Sequence, residues 1–334
     1  MFKKLLLITI FSVFFLIFIG SVVRSTGAGM GCPDWPKCFG KIVPPMSESE
    51  LPPNYLKLYK DIRIKKNHRL EILFTFFGLK SVLQDKLSNH TTYNEVKYDF
   101  NKAWIEYLNR LIGVVVGLQV LAVFLFSFTF IKSKYSVIVL SFFALIILLL
   151  EAFLGSVVVS TNLFPELISV HLVLALILVF LLIYIYFSLY FIPIDKKVVP
   201  KSVFILSGFV LFTSFVQLFL GVNVREVVDT LHNEFLIYDN IIPMLGIKFY
   251  IHRSFSLFIL VLNLYMVYKI SKFGLSNPWS RLILPIIFLE ILTGIILSYW
   301  DLPSFSQPFH LLLASFLIGM QFLNFLYLKF VSNI

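Results

Sequence analysis

Apolar residues gather in eight long runs, at about 4–23, 104–131, 135–159, 167–192, 202–222, 248–269, 282–299 and 307–328. A helix needs roughly 20 such residues to cross a hydrocarbon layer, so each run predicts one transmembrane helix. One connection is far longer than the rest, the polar segment 24–103 between the first two runs. The pattern predicts an all-α, multi-pass membrane protein with one large loop outside the bilayer.

The connections differ in charge, and the difference orients the chain. Lys3 and Lys4, Lys132 and Lys134, then Lys196, Lys197 and Lys201 lie on alternate connections, followed by Lys269, Lys272 and Arg281, and finally Lys329. Basic residues beside spans stay cytoplasmic, which puts both termini inside and the other connections outside. The 24–103 loop is then external despite Lys60, Arg63, Lys65, Lys66 and Arg69, because long loops translocate largely regardless of charge. Lys3-Lys4 before Leu5–Val23, with Thr26-Gly27-Ala28-Gly29 behind, has the form of a signal peptide and its cleavage site. It reads instead as a retained first span, because a copy of it recurs later in the chain.

That copy belongs to an internal repeat. Gly20-Ser-Val-Val-Arg24 matches Gly221-Val-Asn-Val-Arg225, and Glu106-Tyr-Leu-Asn109-Arg110 matches Phe249-Tyr-Ile-His252-Arg253. Glu151-x-x-x-Gly155 matches Glu290-x-x-x-Gly294, and each is followed at the same ungapped distance by a histidine, His171 or His310. Two halves with an even number of spans run in the same direction, a parallel repeat about an axis along the membrane normal. The predicted fold is therefore two parallel-repeat four-helix bundles, residues 1–192 with the external loop and residues 193–334.

Composition agrees and removes one class of partner. The chain is 59% hydrophobic and 14% charged, against about 25% charged in soluble domains. Its net charge of +10 sits largely at the ends of apolar runs, which implies a lipid bilayer and no nucleic acid. No P-loop, Gly-rich nucleotide loop or Ser-His-Asp arrangement is apparent.

Ionisable residues inside such runs are expensive and mark function. Asn109, His171, His252 and His310 each lie a few residues inside a helix that enters from the outer side. At about 1.5 Å per residue, all fall within one or two turns of that surface. His252 and His310 make a bis-imidazole pair in the second half, while His171 faces an amide, Asn109, in the first. Haem is the leading ligand for facing bundle histidines. Zinc normally wants three or four ligands, and the sequence shows no cysteine or carboxylate at that depth near the second pair. Arg253, Arg225, Arg24 and Arg110 flank the helix ends on the same side, where they suit haem propionates; the alternative is arginines that snorkel.

Three further features carry chemistry. Glu106 shares a helix face with Asn109, where it can serve as an acid–base group or charge stabiliser; its plainer reading is a charge that complements the helix dipole. Phe249 holds the equivalent position in the second half, so one half is set for chemistry and the other for holding a cofactor. Glu151 and Glu290 are buried acids for which packing and a proton path are both open. Cys32 and Cys38, in Cys-Pro-Asp-Trp-Pro-Lys-Cys, lie outside the cytoplasm and are readily oxidised to a disulfide, as a loop staple or as a redox pair.

At these residues the chain resembles the haem A synthase family. Gly20-x-x-x-Arg24-x-Thr26-Gly27-x-Gly29, CPDWPKCFGKIVPP, EYLNR, GSVVVSTNLFPELISVH and QPFHLLLA carry the likeness over nearly the full length. The resemblance implies eight helices in two halves, and an oxidoreductase that converts the C8 methyl of haem O to a formyl group with water-derived oxygen. It implies a resident haem b on His252 and His310, with substrate haem O in the first half, His171 as its ligand and Glu106 as the catalytic carboxylate. The Cys32–Cys38 pair corresponds to the family's external disulfide. A bacterial cytoplasmic membrane, haem O synthase, terminal oxidase assembly factors and a quinone or other electron acceptor follow as location and partners.

The chain departs from the family at Asn109, where many members have histidine. The substrate haem is then five-coordinate through His171, or bound by an amide or water. His68 and His90 in the external loop read as solvated residues, with ligation as the alternative. Two other functions compete: a membrane b-type cytochrome in quinol-linked electron transfer, and an assembly protein that handles haem without oxidising it. The first accounts for His252 and His310 but poorly for Glu106 and the CPDWPKC loop.

Overall fold

A computed structural model describes residues 1–29, 31–34, 36–76, 97–160, 165–193, 196–234 and 241–332. These form α1 (Phe2–Ser25), α2 (Tyr55–Phe76), α3 (Phe100–Ser127), α4 (Tyr135–Ser160) and α5 (Pro165–Tyr190), then α6 (Lys201–Glu234), α7 (Gly246–Lys272), α8 (Pro278–Tyr299) and α9 (Ser306–Val331). Among the described residues, eight helices are long and apolar enough to cross a membrane; α2 is not one of them.

Local chemistry sets the boundaries. Asp99 caps α3 by accepting from the Lys102 N–H at 3.0 Å, and Asn277 and Ser280 form a reciprocal capping box ahead of α8. Gly246 opens α7 at φ +61°, a left-handed conformation that favours glycine. Inside the spans, hydroxyls return to carbonyls one turn back, as Thr9 does to Leu5 at 2.9 Å and Ser315 to Leu311 at 2.8 Å. Such bonds satisfy polar side chains where no water reaches.

The helices pack in two rings. In the first, α1 packs against α3, α3 against α4, α4 against α5, and α5 against α1; in the second, α6, α7, α8 and α9 close in the same way. The rings meet where α9 packs on α1 and α5. Phe14 of α1 stacks on Phe316 of α9 with centroids 4.4 Å apart, and Phe180 of α5 stacks on Phe322 at 4.2 Å. Gly319 makes room for that seam, since a Cβ there would sit 3.0 Å from Phe14 Cζ.

One end of the bundle gathers the basic connections. Lys3 lies over the rings of Tyr186 and Tyr190, Lys134 donates to the Ser188 carbonyl, and the Lys197 ammonium donates to the Gly274 carbonyl at 3.0 Å. The opposite end carries a small cap over the first ring. Phe39 meets Tyr55, Tyr59 and Tyr98 edge to face, and Cys32, Cys38 and Ala103 complete this core.

Two expectations need correction here. The 24–103 segment is not loop throughout, because its described residues include α2 and a 3-10 turn at Glu48–Glu50. The fifth apolar run does not end near 222: α6 continues to Glu234, so Arg225 lies within the helix. Val224 and Val228 explain the extension, since they pack with Ile241, Leu245 and Phe249 beyond the apolar run.

Candidate functional site

The second ring is built around His252 of α7 and His310 of α9. Their ring centroids lie 6.3 Å apart with the planes at 82°. Metal–imidazole bonds of about 2 Å, with about 1 Å from nitrogen to ring centre, put two axial rings on one metal about 6 Å apart. The pair therefore fits a single iron. Among the described residues no three His, Cys, Asp or Glu side chains converge as a metal site. Two imidazoles alone suit an iron whose other ligands come from a porphyrin.

Each imidazole rests on a glycine of the neighbouring helix. A Cβ added to Gly221 of α6 would lie 3.0 Å from His252 Cε1, one on Gly294 of α8 would lie 3.5 Å from His310 Cε1, and one on Gly155 of α4 would lie 3.9 Å from His171 Cε1. The glycines thus create the notches into which the rings fit. His171 and His310 keep 39% and 24% side-chain exposure, so neither ring is closed off as an ordinary core residue would be.

Polar groups stand at the other edge of the rings. Glu290 Oε1 lies 3.3 Å and Thr293 Oγ1 2.9 Å from His310 Nδ1, while Glu151 Oε2 lies 2.8 Å from His171 Nδ1. The sequence reading put no carboxylate beside the second pair, and Glu290 corrects it. Glu290 and His310 are separated by a turn in the chain but face each other once α8 packs on α9. These contacts of His310 and His171 are all at Nδ1, which leaves Nε2 as the nitrogen open to a ligand.

The first ring differs. Glu106 of α3 is only 2% exposed; its Oε2 accepts from the Cys32 N–H at 2.9 Å and its Oε1 pairs with Arg110. Arg110 also donates to the carbonyls of Cys32 at 3.1 Å and Lys37 at 3.0 Å. The disulfide joins Cys32 to Cys38. Gly31 brings this loop onto the helix, since a Cβ there would fall 2.4 Å from the Lys102 carbonyl oxygen. Asp34 fixes the loop's far side by accepting from Phe39 and Gly40 N–H groups, both at 2.7 Å, although burial pushes its carboxyl above the usual range. The buried Oδ1 of Asn109, one turn beyond Glu106, has no partner among the described residues.

The arginines divide into three groups. Arg24 and Arg225 both bind Asp229, at 2.6 and 2.8 Å, so one carboxylate of α6 ties the two rings together. Arg225 also donates to Gln307 of α9. Arg110 belongs to the Glu106 cradle, and Arg253 is exposed and lies 5.9 Å from the centre of the Tyr250 ring. His68 lies on an exposed position of α2, and His90 lies outside the described residues. Sequence reasoning missed Asp229, Thr293 and the glycine notches. Only the last left a signal, the repeated Gly four residues after Glu.

Comparison with known proteins agrees with these features. The family described as cytochrome oxidase assembly protein, COX15-CtaA, matches residues 3–76 and 80–322. Heme A synthase of Shewanella oneidensis is 28% identical over 168 residues. That alignment spans 50% of this chain and 39% of the length of that curated relative. With nearly all of its spans inside the family match, the chain belongs to the COX15-CtaA cytochrome oxidase assembly proteins, the haem A synthase family.

Proposed function

We propose that this chain is a haem A synthase of a bacterial cytoplasmic membrane, oxidising the C8 methyl group of haem O to a formyl group. The reading takes the two rings as parallel repeats, residues 1–192 and 193–334, with both termini cytoplasmic. The observation that carries it is the contrast between them: two imidazoles at the spacing of coaxial ligands in one, and one imidazole with a buried, oriented carboxylate in the other.

In the second ring His252 and His310 hold haem b, which supplies one-electron redox chemistry when bound. In the first ring His171 ligates substrate haem O, and Asn109 leaves its other side open for arrival and release. Glu106 is held by the Cys32 N–H and the Arg110 guanidinium, so its carboxylate is presented in a single orientation. There it stabilises positive charge developing at the methyl carbon and receives a proton from the attacking water. Successive hydroxylations give the formyl group and release electrons and protons in equal number, so a quinone or other acceptor must take the electrons. Arg24, Arg225 and Arg253 stand on the outer side for propionates, with Arg24 and Arg225 already ordered by Asp229. Haem O synthase as supplier and oxidase assembly factors as recipients complete the reading.

The test is co-expression with a haem O source, followed by extraction and chromatographic identification of the bound haems. Haem A beside haem B, with haem A lost and haem B kept in Glu106→Gln, is the expected result. Haem B alone, with haem O neither bound nor altered, would replace the synthase by an electron-transfer cytochrome. Haem O bound but never oxidised would make it a haem-handling assembly protein.

A further inference from the structure

The Glu-x-x-x-Gly repeat has a physical meaning that the sequence leaves open. On α4 and α8 it forms a slot for one imidazole: the glycine lies under Cε1, and the glutamate one turn earlier reaches Nδ1. Residues four apart share a helix face, so one helix supplies both walls. The same spacing recurs with altered chemistry in the other two helix pairs. On α6, Gln217 precedes Gly221, and its amide nitrogen donates to the His252 carbonyl at 3.1 Å. Gln217 Oε1 and His252 Nδ1 are both buried with no hydrogen-bond partner among the described residues. On α1, Leu16 precedes Gly20, and a Cβ on Gly20 would meet nothing within 4 Å. The helix of Asn109 is the one that packs against α1 at the equivalent place in the ring. The slot without a polar wall is the one whose partner helix offers no imidazole.

We infer that Glu151 and Glu290 are positioning residues for axial imidazoles, and that Thr293 completes the device in the second ring. Thr293 donates its hydroxyl to the Glu290 carbonyl at 2.9 Å, so toward His310 it acts as acceptor. The His310 proton is thereby held on Nδ1 and the Nε2 lone pair is freed for iron. Among the described residues Glu290 Oε2 and Glu151 Oε1 are buried without hydrogen-bond partners, and the other oxygen of each carboxyl lies against the ring. Acceptors at the far nitrogen fix ring orientation and raise ligand basicity. In the first ring Glu151 Oε2 lies 2.8 Å from His171 Nδ1, but that nitrogen makes no hydrogen bond among the described residues and no hydroxyl completes the slot, so the carboxyl acts there by proximity alone. The inference rests on the reading of these histidines as haem ligands.

The experiment uses the full-length protein purified in detergent with its haem b, and compares Glu290→Gln, Thr293→Val, the double variant and His310→Ala. Haem content is measured together with the midpoint potential and the reduced-minus-oxidised spectrum. Both single variants are expected to keep haem b with a higher midpoint potential, because a less basic imidazole favours the oxidised iron less. The double variant is expected to lose haem roughly 10- to 100-fold more readily. Haem b retained in all three with unchanged potential and spectrum would overturn the positioning role, leaving Glu290 as packing. Haem b retained in His310→Ala would instead overturn the ligand reading on which the inference stands. Thr293→Val changes no charge, so a shift in that variant is not an effect of removing a carboxylate.

Discussion

The two rings share one plan and differ at matched places. His252 in the second stands where Asn109 stands in the first, Phe249 where Glu106 stands, and Gln217 where Leu16 stands. The second ring has two imidazoles, each in a glycine notch, with polar groups at the far edge of His310 and an amide on the backbone of His252. In the first the same positions carry different chemistry. One imidazole replaces two, a carboxylate is buried in the same ring, and a disulfide-bearing loop closes over that carboxylate. The two rings thus share helix packing and differ at a few inward positions; under the proposed function, that difference separates holding a redox group from acting on a substrate.

The comparison breaks most readily at its ligands. His310→Ala should remove essentially all low-spin haem b from the purified protein, read as haem per chain; a surviving unchanged signal would end the assignment of the second ring. Next in size is Glu106→Gln, which should lower haem A formation by about 10² or more while leaving haem b in place. If product formation persisted, the first ring would need another catalytic group. Gly31→Ala should both destabilise and slow the protein. The added methyl meets the Lys102 carbonyl at 2.4 Å, and such overpacking costs about 1–3 kcal/mol. Cys32 must then move off Glu106, so thermal unfolding and haem A yield should fall together.

Asn109→His sharpens the contrast from the other side. It should convert the first ring to a bis-imidazole site, seen as a second low-spin signal when haem O is supplied, with slower release of product. The smallest effect belongs to Asp229→Asn. It frees Arg24 and Arg225 from their shared carboxylate and should cost roughly 1–3 kcal/mol at the seam between the rings. The thermal midpoint in detergent should drop while the haem b spectrum is unchanged.

Some of this was legible without coordinates because the signals were long or repeated. Eight apolar runs survive as eight helices, since hydrocarbon leaves a backbone few other ways to satisfy its hydrogen bonds. His252 and His310 were legible because ionisable groups are costly at such positions and these occur at matched places in a repeat. The pattern failed where polarity and helicity part company. α2 is helical with a polar, basic sequence, and α6 runs on through Arg225 and Asp229 because Val224 and Val228 find a packing partner.

The sequence by itself therefore determined the class of the protein, the number of its spans, the positions of its histidines and the asymmetry between its halves. Those depend on periodicity and on residue type, which a single chain displays in order. Only the tertiary structure decided that Glu290 and Thr293 belong to His310, that Cys32 belongs to Glu106, and that Arg24 and Arg225 meet at Asp229. Such partners lie on different helices or on a loop and its helix. Their pairing is fixed by how the helices pack and by which glycine lets them approach, and no local pattern encodes that.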